Sequence, residues 1–130
     1  MRIVSAAQFV DGLIAALCLQ GKTALMLDDP ALDRQFATAY DELLGKSEEL
    51  GLAPDFVISA DPAYGDSTCL RDAILDIRDS GSVAVDDPRS ARMTMRFAGH
   101  NTPESVLGGN AVPRWFLERL ASEHLAMIAR

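Results

Sequence analysis

The sequence predicts an α+β fold: a single compact domain spanning residues 1–130, with four main helices and a small antiparallel sheet. Three observations carry this. Apolar residues recur at helical spacing in four well-bounded stretches, and the pattern switches to alternation across a turn between residues 82 and 97. No linker, internal repeat or low-complexity tract divides the chain. A chain of this length buries roughly two thirds of its unfolded surface. Apolar content of 48% and charged content of 24% lie near the globular average, which argues against disorder.

The first helix has a marked start. Ser5-Ala6-Ala7-Gln8 reads as a capping box, in which the Ser hydroxyl and the Gln amide satisfy orphan backbone donors reciprocally. Val4 and Phe9 flank it as a hydrophobic staple. Phe9, Val10, Leu13, Ile14 and Leu17 make a stripe broad enough to predict a central helix, ended by Gly21. Thr23–Leu27 is a short apolar run read as a strand. The second helix starts at Asp29-Pro30, an N-cap followed by a proline at the first helical position. Leu32, Phe36, Ala39, Tyr40, Leu43 and Leu44 keep one face apolar, and Gly51 is the expected C-cap if Gly45 is tolerated. Phe56–Ser59 reads as a strand, followed by a polar loop over 60–66 in which Asp66 or Ser67 caps the next helix.

Residues 67–97 are the most informative stretch. Leu70, Ala73, Ile74 and Ile77 recur at helical spacing, and Gly81 stands where a left-handed C-cap is wanted. Val83 and Val85 then alternate with Ser82, Ala84 and Asp86, a turn follows at 87–91, and Met93, Met95 and Phe97 alternate with Arg92, Thr94 and Arg96. In element order, the segment Phe56–Phe97 resembles the strand–helix–hairpin of winged-helix domains, which contact nucleic acid or protein. That resemblance of order implies nothing about function by itself. Beyond it, Thr102-Pro103 starts a short turn ending at Gly108-Gly109. The last helix is predicted from Pro113 to the end, burying Phe116, Leu117, Leu120, Ala121, Met127 and Ile128.

Net charge is −7, which argues against a surface that is one large nucleic-acid footprint but leaves room for a local basic patch. Residues 1–50 carry eight acids against four bases, whereas residues 71–97 are balanced. Every base after Lys46 is arginine, the residue suited to bidentate contacts with carboxylate or phosphate, though a compositional bias explains it equally well. The apolar run Leu13–Leu19 is interrupted on its N-terminal side by Asp11 and Gln8, lacks a cleavage site, and is too short to span a membrane. The expectation is a cytoplasmic protein without membrane contact. Cys18 and Cys69 read as buried small hydrophobes in a reducing compartment, with a disulfide between them left open.

The polar residues yield no complete catalytic, metal or cofactor motif. Gln20-Gly21-Lys22-Thr23 ends like a phosphate loop, but Ala16 replaces the required glycine and a helix precedes it instead of a strand. Cys69 near a helix start would need a base, and His100 is the one loop histidine. Asp61 and Asp66 offer too few oxygens for a hard cation and suit turn and cap chemistry better. His124 stands on the apolar edge of the last helix with no second ligand at i±4, and reads as a core-border residue. Trp115 is expected in the core, since large aromatics are highly buried on average; exposed, it would be a natural partner anchor.

Arg89, Arg92 and Arg96 stand out as a set, with Arg92 and Arg96 on one strand face and Arg89 in the turn. They either grip phosphates or an acidic partner, or form a solvated face neutralised by Asp86 and Asp87. The expected function is therefore a non-enzymatic regulatory or adaptor domain acting through protein–protein contact, self-association included. The contact residues are Arg89, Arg92, Arg96 and Trp115, with no catalytic residue, metal or cofactor. The alternative is a winged-helix-like nucleic-acid binder using the helix 67–80 and the hairpin 82–97, opposed by Asp72, Asp76 and Asp79 on that helix. A third reading is a small enzyme whose loops 60–68 and 99–109 converge on a pocket.

Overall fold

Helix α1 (Ala6–Leu19) is the element around which the others pack, as the width of its apolar stripe predicts. Phe9, Val10, Leu13, Ile14 and Leu17 are all fully buried, and α1 meets α3 (Thr68–Asp79), α4 (Pro103–Gly108) and α5 (Arg114–Leu120). In this computed structural model residues 1–59, 68–85 and 92–130 are described. Buried apolar side chains from every helix join one continuous core.

The caps follow the sequence with one exception. Ser5 Oγ accepts from the Gln8 N–H at 3.1 Å, which starts α1. The reciprocal bond from the Gln8 side chain is not formed: Gln8 Oε1 is buried and unpaired among the described residues. Gly21, at φ 89°, ends α1 in the left-handed region that a side chain would strain. Its turn is closed by the Lys22 N–H donating to Leu17 O at 3.0 Å. Helix α2 (Ala31–Leu50) opens on Asp29, whose Oδ1 accepts from the Ala31 N–H at 2.8 Å, and runs through Gly45 to Gly51 at φ 68°. Helix α4 carries a complete capping box between Thr102 and Ser105.

Two small sheets complete the fold. Strand β1 (Arg2–Val4) pairs in parallel with β3 (Leu52–Pro54), in the register Arg2 with Leu52 and Val4 with Pro54. Strands β2 (Ala24–Met26), β5 (Arg92–Met95) and β4 (Val83–Val85) form an antiparallel sheet in that order. The hairpin partners are Val83 with Met95 and Val85 with Met93. Buried Met93 and Val83 face the core, and half-buried Met95 packs against it. The predicted hairpin turn at 87–91, with Arg89, lies outside the described residues.

Three expectations are corrected. Phe56–Ser59 is not a strand. The Phe56 ring instead packs against Phe9 and Tyr40, at centroid separations of 5.8 and 5.2 Å, and its carbonyl accepts the Tyr40 hydroxyl, so a side chain serves the backbone where a ladder was expected. The strand pairing lies a few residues earlier, at β3. The third strand of the hairpin sheet is therefore β2, from ahead of α2, in place of the strand expected at Phe56–Ser59.

The last helix does not run to the end. It passes at Leu120 into a π-helical turn (Ala121–Leu125), marked by the Ala126 N–H donating to Ala121 O at 2.9 Å. A turn over residues 126–128 follows, after which Ala129 bridges to Leu25 and the Arg130 N–H donates to Ala24 O at 2.8 Å. The wider turn puts the following residues out of α-helical phase. Met127, expected in the core, is exposed and Ile128 is half-buried.

Trp115 is the third correction: it lies at the surface, 54% exposed. Among the described residues, no helix is long and apolar enough to cross a membrane.

Candidate functional site: an aromatic and charged face on the last helix

The position of Trp115 follows from helical geometry. Buried Phe116, Leu117, Leu120 and Ala121 define the core side of α5 and its continuation. At about 100° per residue, Trp115 projects nearly opposite the centre of that group. Arg119, four residues on, stands above it on the same face. Its guanidinium carbon lies 5.9 Å from the Trp115 ring centroid and 5.1 Å from that of Phe116. Cation–π contacts of this exposed kind contribute about 0.5–1 kcal/mol each. They keep the guanidinium beside the exposed indole.

Arg119 also joins this face to α2. Its Nη2 is 4.0 Å from Glu42 Oε1, and its Nε is 3.9 Å from Glu123 Oε1. The other oxygens of both carboxylates turn to His124: Glu42 Oε2 contacts His124 Nε2 directly, and Glu123 Oε2 is 3.9 Å from it. His124 is therefore a core-border residue, as its position on the helix predicts, but its partner comes from α2, 82 residues away in sequence. Arg114 and Glu118 form a further ion pair along α5 at 2.8 Å. A Trp–Arg pair rimmed by charges matches the composition of protein-interface hot spots.

The hairpin arginines occupy another part of the surface. Arg92 and Arg96 are both exposed. The Arg96 N–H donates to Ser82 O at 2.8 Å, which anchors its backbone. Its side chain lines an open groove of about 560 Å³ together with Arg78 and Asn101. Arg78 pairs with Asp79 at 3.3 Å. Asn101 Nδ2 donates to Oγ of the fully buried Ser82 at 3.0 Å, and Asp11 Oδ1 is buried without a hydrogen-bond partner among the described residues. Burial raises the Asp11 carboxyl above the ordinary aspartate range, and the Ser82 hydroxyl partly offsets this.

The remaining sequence candidates are placed as follows. Cys18 and Cys69 are free thiols, both half-buried. Burial pushes the Cys69 thiol up, the Val57 backbone bond lowers it, and Asp72 and Asp55 raise it further. That is opposite to the depressed value an activated nucleophile needs. His100 is exposed in its loop. Lys22 and Thr23 follow a helix end, and the Thr23 N–H and hydroxyl both serve the Arg130 carbonyl, so the amides of a phosphate nest are already committed. Asp61, Asp66 and most of the loop 60–68 lie outside the described residues, while residues 103–108 of the loop 99–109 form α4.

Sequence reading missed the Glu42–Arg119–Glu123–His124 cluster because no local spacing announces a pairing between α2 and the chain's end. For Trp115 a signal existed, the phase of its neighbours on the helix. No protein family, curated protein or solved structure matches the chain.

Proposed function

We propose that this protein is a non-enzymatic regulatory or adaptor domain that binds a protein partner, a second copy of itself included, through the face formed by Trp115 and Arg119. The observation that carries the reading is the exposed indole with the guanidinium held over it. Exposing a large aromatic costs solvation free energy that association recovers, and Trp and Arg are the residues most enriched where interface energy concentrates. An acidic protein with this patch favours partners offering basic or aromatic groups. A cytoplasmic setting fits the two free thiols.

The test is an affinity pull-down from source lysate, divided and run with and without nuclease, alongside sedimentation of the purified chain over a range of concentrations. A protein recovered in near-equal amount after nuclease, or reversible self-association, supports the reading. Loss of every partner on nuclease treatment from a strictly monomeric chain overturns it.

One observation favours a second reading. Arg78 and Arg96 line the same open groove, and Arg92 is exposed on the strand leading to it, so a nucleic-acid backbone has a basic seat there. Removing Arg92 and Arg96 together should then weaken binding and lower its salt dependence.

A further inference from the structure

We propose that Glu42, Glu123 and His124 form a site for a divalent transition metal, zinc foremost, that ties α2 to the π-helical turn. One ligand-type atom from each residue lies within 4.8 Å of the others. The geometry divides the two carboxylates between two tasks. Each turns one oxygen, Oε2, to His124 Nε2 and the other, Oε1, to Arg119. Arg119 stands on the outer side of both carboxylates at 3.9 and 4.0 Å, beyond hydrogen-bond distance, and balances part of their charge.

The donor set selects the metal class. One imidazole nitrogen and two carboxylate oxygens suit zinc and its neighbours, whereas calcium and magnesium call for more oxygen donors. Zinc bonds to nitrogen and oxygen are about 2.0–2.2 Å, so tetrahedral ligands stand roughly 3.4 Å apart. Glu42 Oε2 and His124 Nε2 are already in direct contact, so the metal replaces that hydrogen bond and opens the pair. Glu123 Oε2, 3.9 Å from His124, closes by a small rotation that its half-exposed side chain is free to make. Three protein ligands leave a fourth position for water. Two carboxylates set against one guanidinium leave the acidic groups with an excess of negative charge, which favours a dication. The wider π-helical turn carries the adjacent Glu123 and His124 on one side of the same α2 carboxylate.

The experiment is calorimetric titration of the chelator-stripped, purified chain with zinc chloride, repeated with cobalt chloride and followed by visible absorption. Expected is one equivalent of zinc per chain, a zinc-dependent rise in melting temperature, and cobalt bands characteristic of nitrogen and oxygen donors. His124→Ala and Glu42→Gln should each weaken binding about 100-fold or more, at or above the upper end for outer partners of a site. Glu123→Gln alters an exposed side chain and keeps the test decisive if the other variants misfold; it should weaken binding at least tenfold. Absence of stoichiometric zinc binding by the parent overturns the proposal. So does binding that survives Glu123→Gln unchanged, or that disappears only when Cys18 and Cys69 are replaced.

Discussion

Arg71 on α3 reaches Asp33 on α2, with Nη2 to Oδ2 at 3.1 Å, and the same nitrogen donates to the Leu27 carbonyl at 3.3 Å. Asp33 is buried within the first turn of α2, so this pair pins two helices and the loop between β2 and α2 at one point. Removing one partner of a buried pair is costlier than the pair is worth, because the other charge stays behind. Asp33→Ala should therefore destabilise the fold by roughly 2–3 kcal/mol, below the fully buried extreme because Arg71 is partly solvated. Urea unfolding of parent and variant measures it. A change under about 0.5 kcal/mol, the range of featureless surface substitutions, would remove this pair from the account.

Gly12 leaves no room for a side chain where α1 packs against Asn110 and Leu117. A Cβ there would stand 2.6 Å from Asn110 Nδ2 and 2.8 Å from Leu117 Cδ1. Asn110 is held by two bonds, to Gln8 O at 2.8 Å and from the Val112 N–H at 3.0 Å, and Leu117 is fully buried. Neither yields without loss. Gly12→Val should cost about 1–3 kcal/mol, the range for overpacked cores. Thermal unfolding checks this, and an unchanged melting temperature would show that the contact relaxes freely.

Asp11 makes stability depend on pH with a definite sign. Burial raises its folded-state pKa above the unfolded value, so the folded chain holds the proton more tightly. The resulting stabilisation is fully present below the unfolded pKa and is lost as pH rises through the folded one. Asp11→Asn removes this titration while keeping an acceptor for the Ser82 hydroxyl. The stability of the variant relative to the parent should rise as pH increases from the ordinary aspartate range through the raised folded-state pKa. A flat or falling difference across that interval would contradict the burial of this carboxyl.

Both thiols should alkylate slowly near neutral pH. Burial raises the pKa of Cys18 and is the largest cause for Cys69, which leaves little thiolate to react. Iodoacetamide labelling followed by mass spectrometry should show rates at or below that of a free peptide thiol, increasing into the alkaline range. Rapid labelling of Cys69 at neutral pH would reopen the thiol-enzyme reading.

Much of the fold is legible from local rules, and what escapes them shares a cause. Ser5, Asp29, Gly51, Gly81 and Thr102 mark helix ends because caps are decided within a turn of backbone. The alternation of Val83, Val85, Met93 and Met95 announces the hairpin for the same reason. Phe56 carries strand propensity, yet its carbonyl partner is the hydroxyl of Tyr40, a contact between segments that no local pattern encodes. Strand β1 is three residues long and gains its partner from beyond α2. The π-helical turn shifts Met127 outward, and periodicity extrapolated across it fails. At the candidate face, the average burial of aromatics points Trp115 to the core, whereas the helical phase of Phe116, Leu117 and Leu120 turns it outward. The Glu42–His124 contact was out of reach, since it depends on how α2 lies against the chain's end.

The most direct test of the interaction face compares two baits, the parent chain and Trp115→Ala, in nuclease-treated lysate, quantifying a partner that the parent retains or, in a self-associating chain, the dimer constant. Trp115 is outside the core, so the variant should keep its stability within about 0.5 kcal/mol, which separates lost contact from lost fold. The account predicts at least a tenfold loss of retention or affinity, the effect of removing a residue worth about 1.4 kcal/mol or more at an interface. Undiminished binding by the folded variant would contradict it and move the search for the contact surface to the arginines of the hairpin.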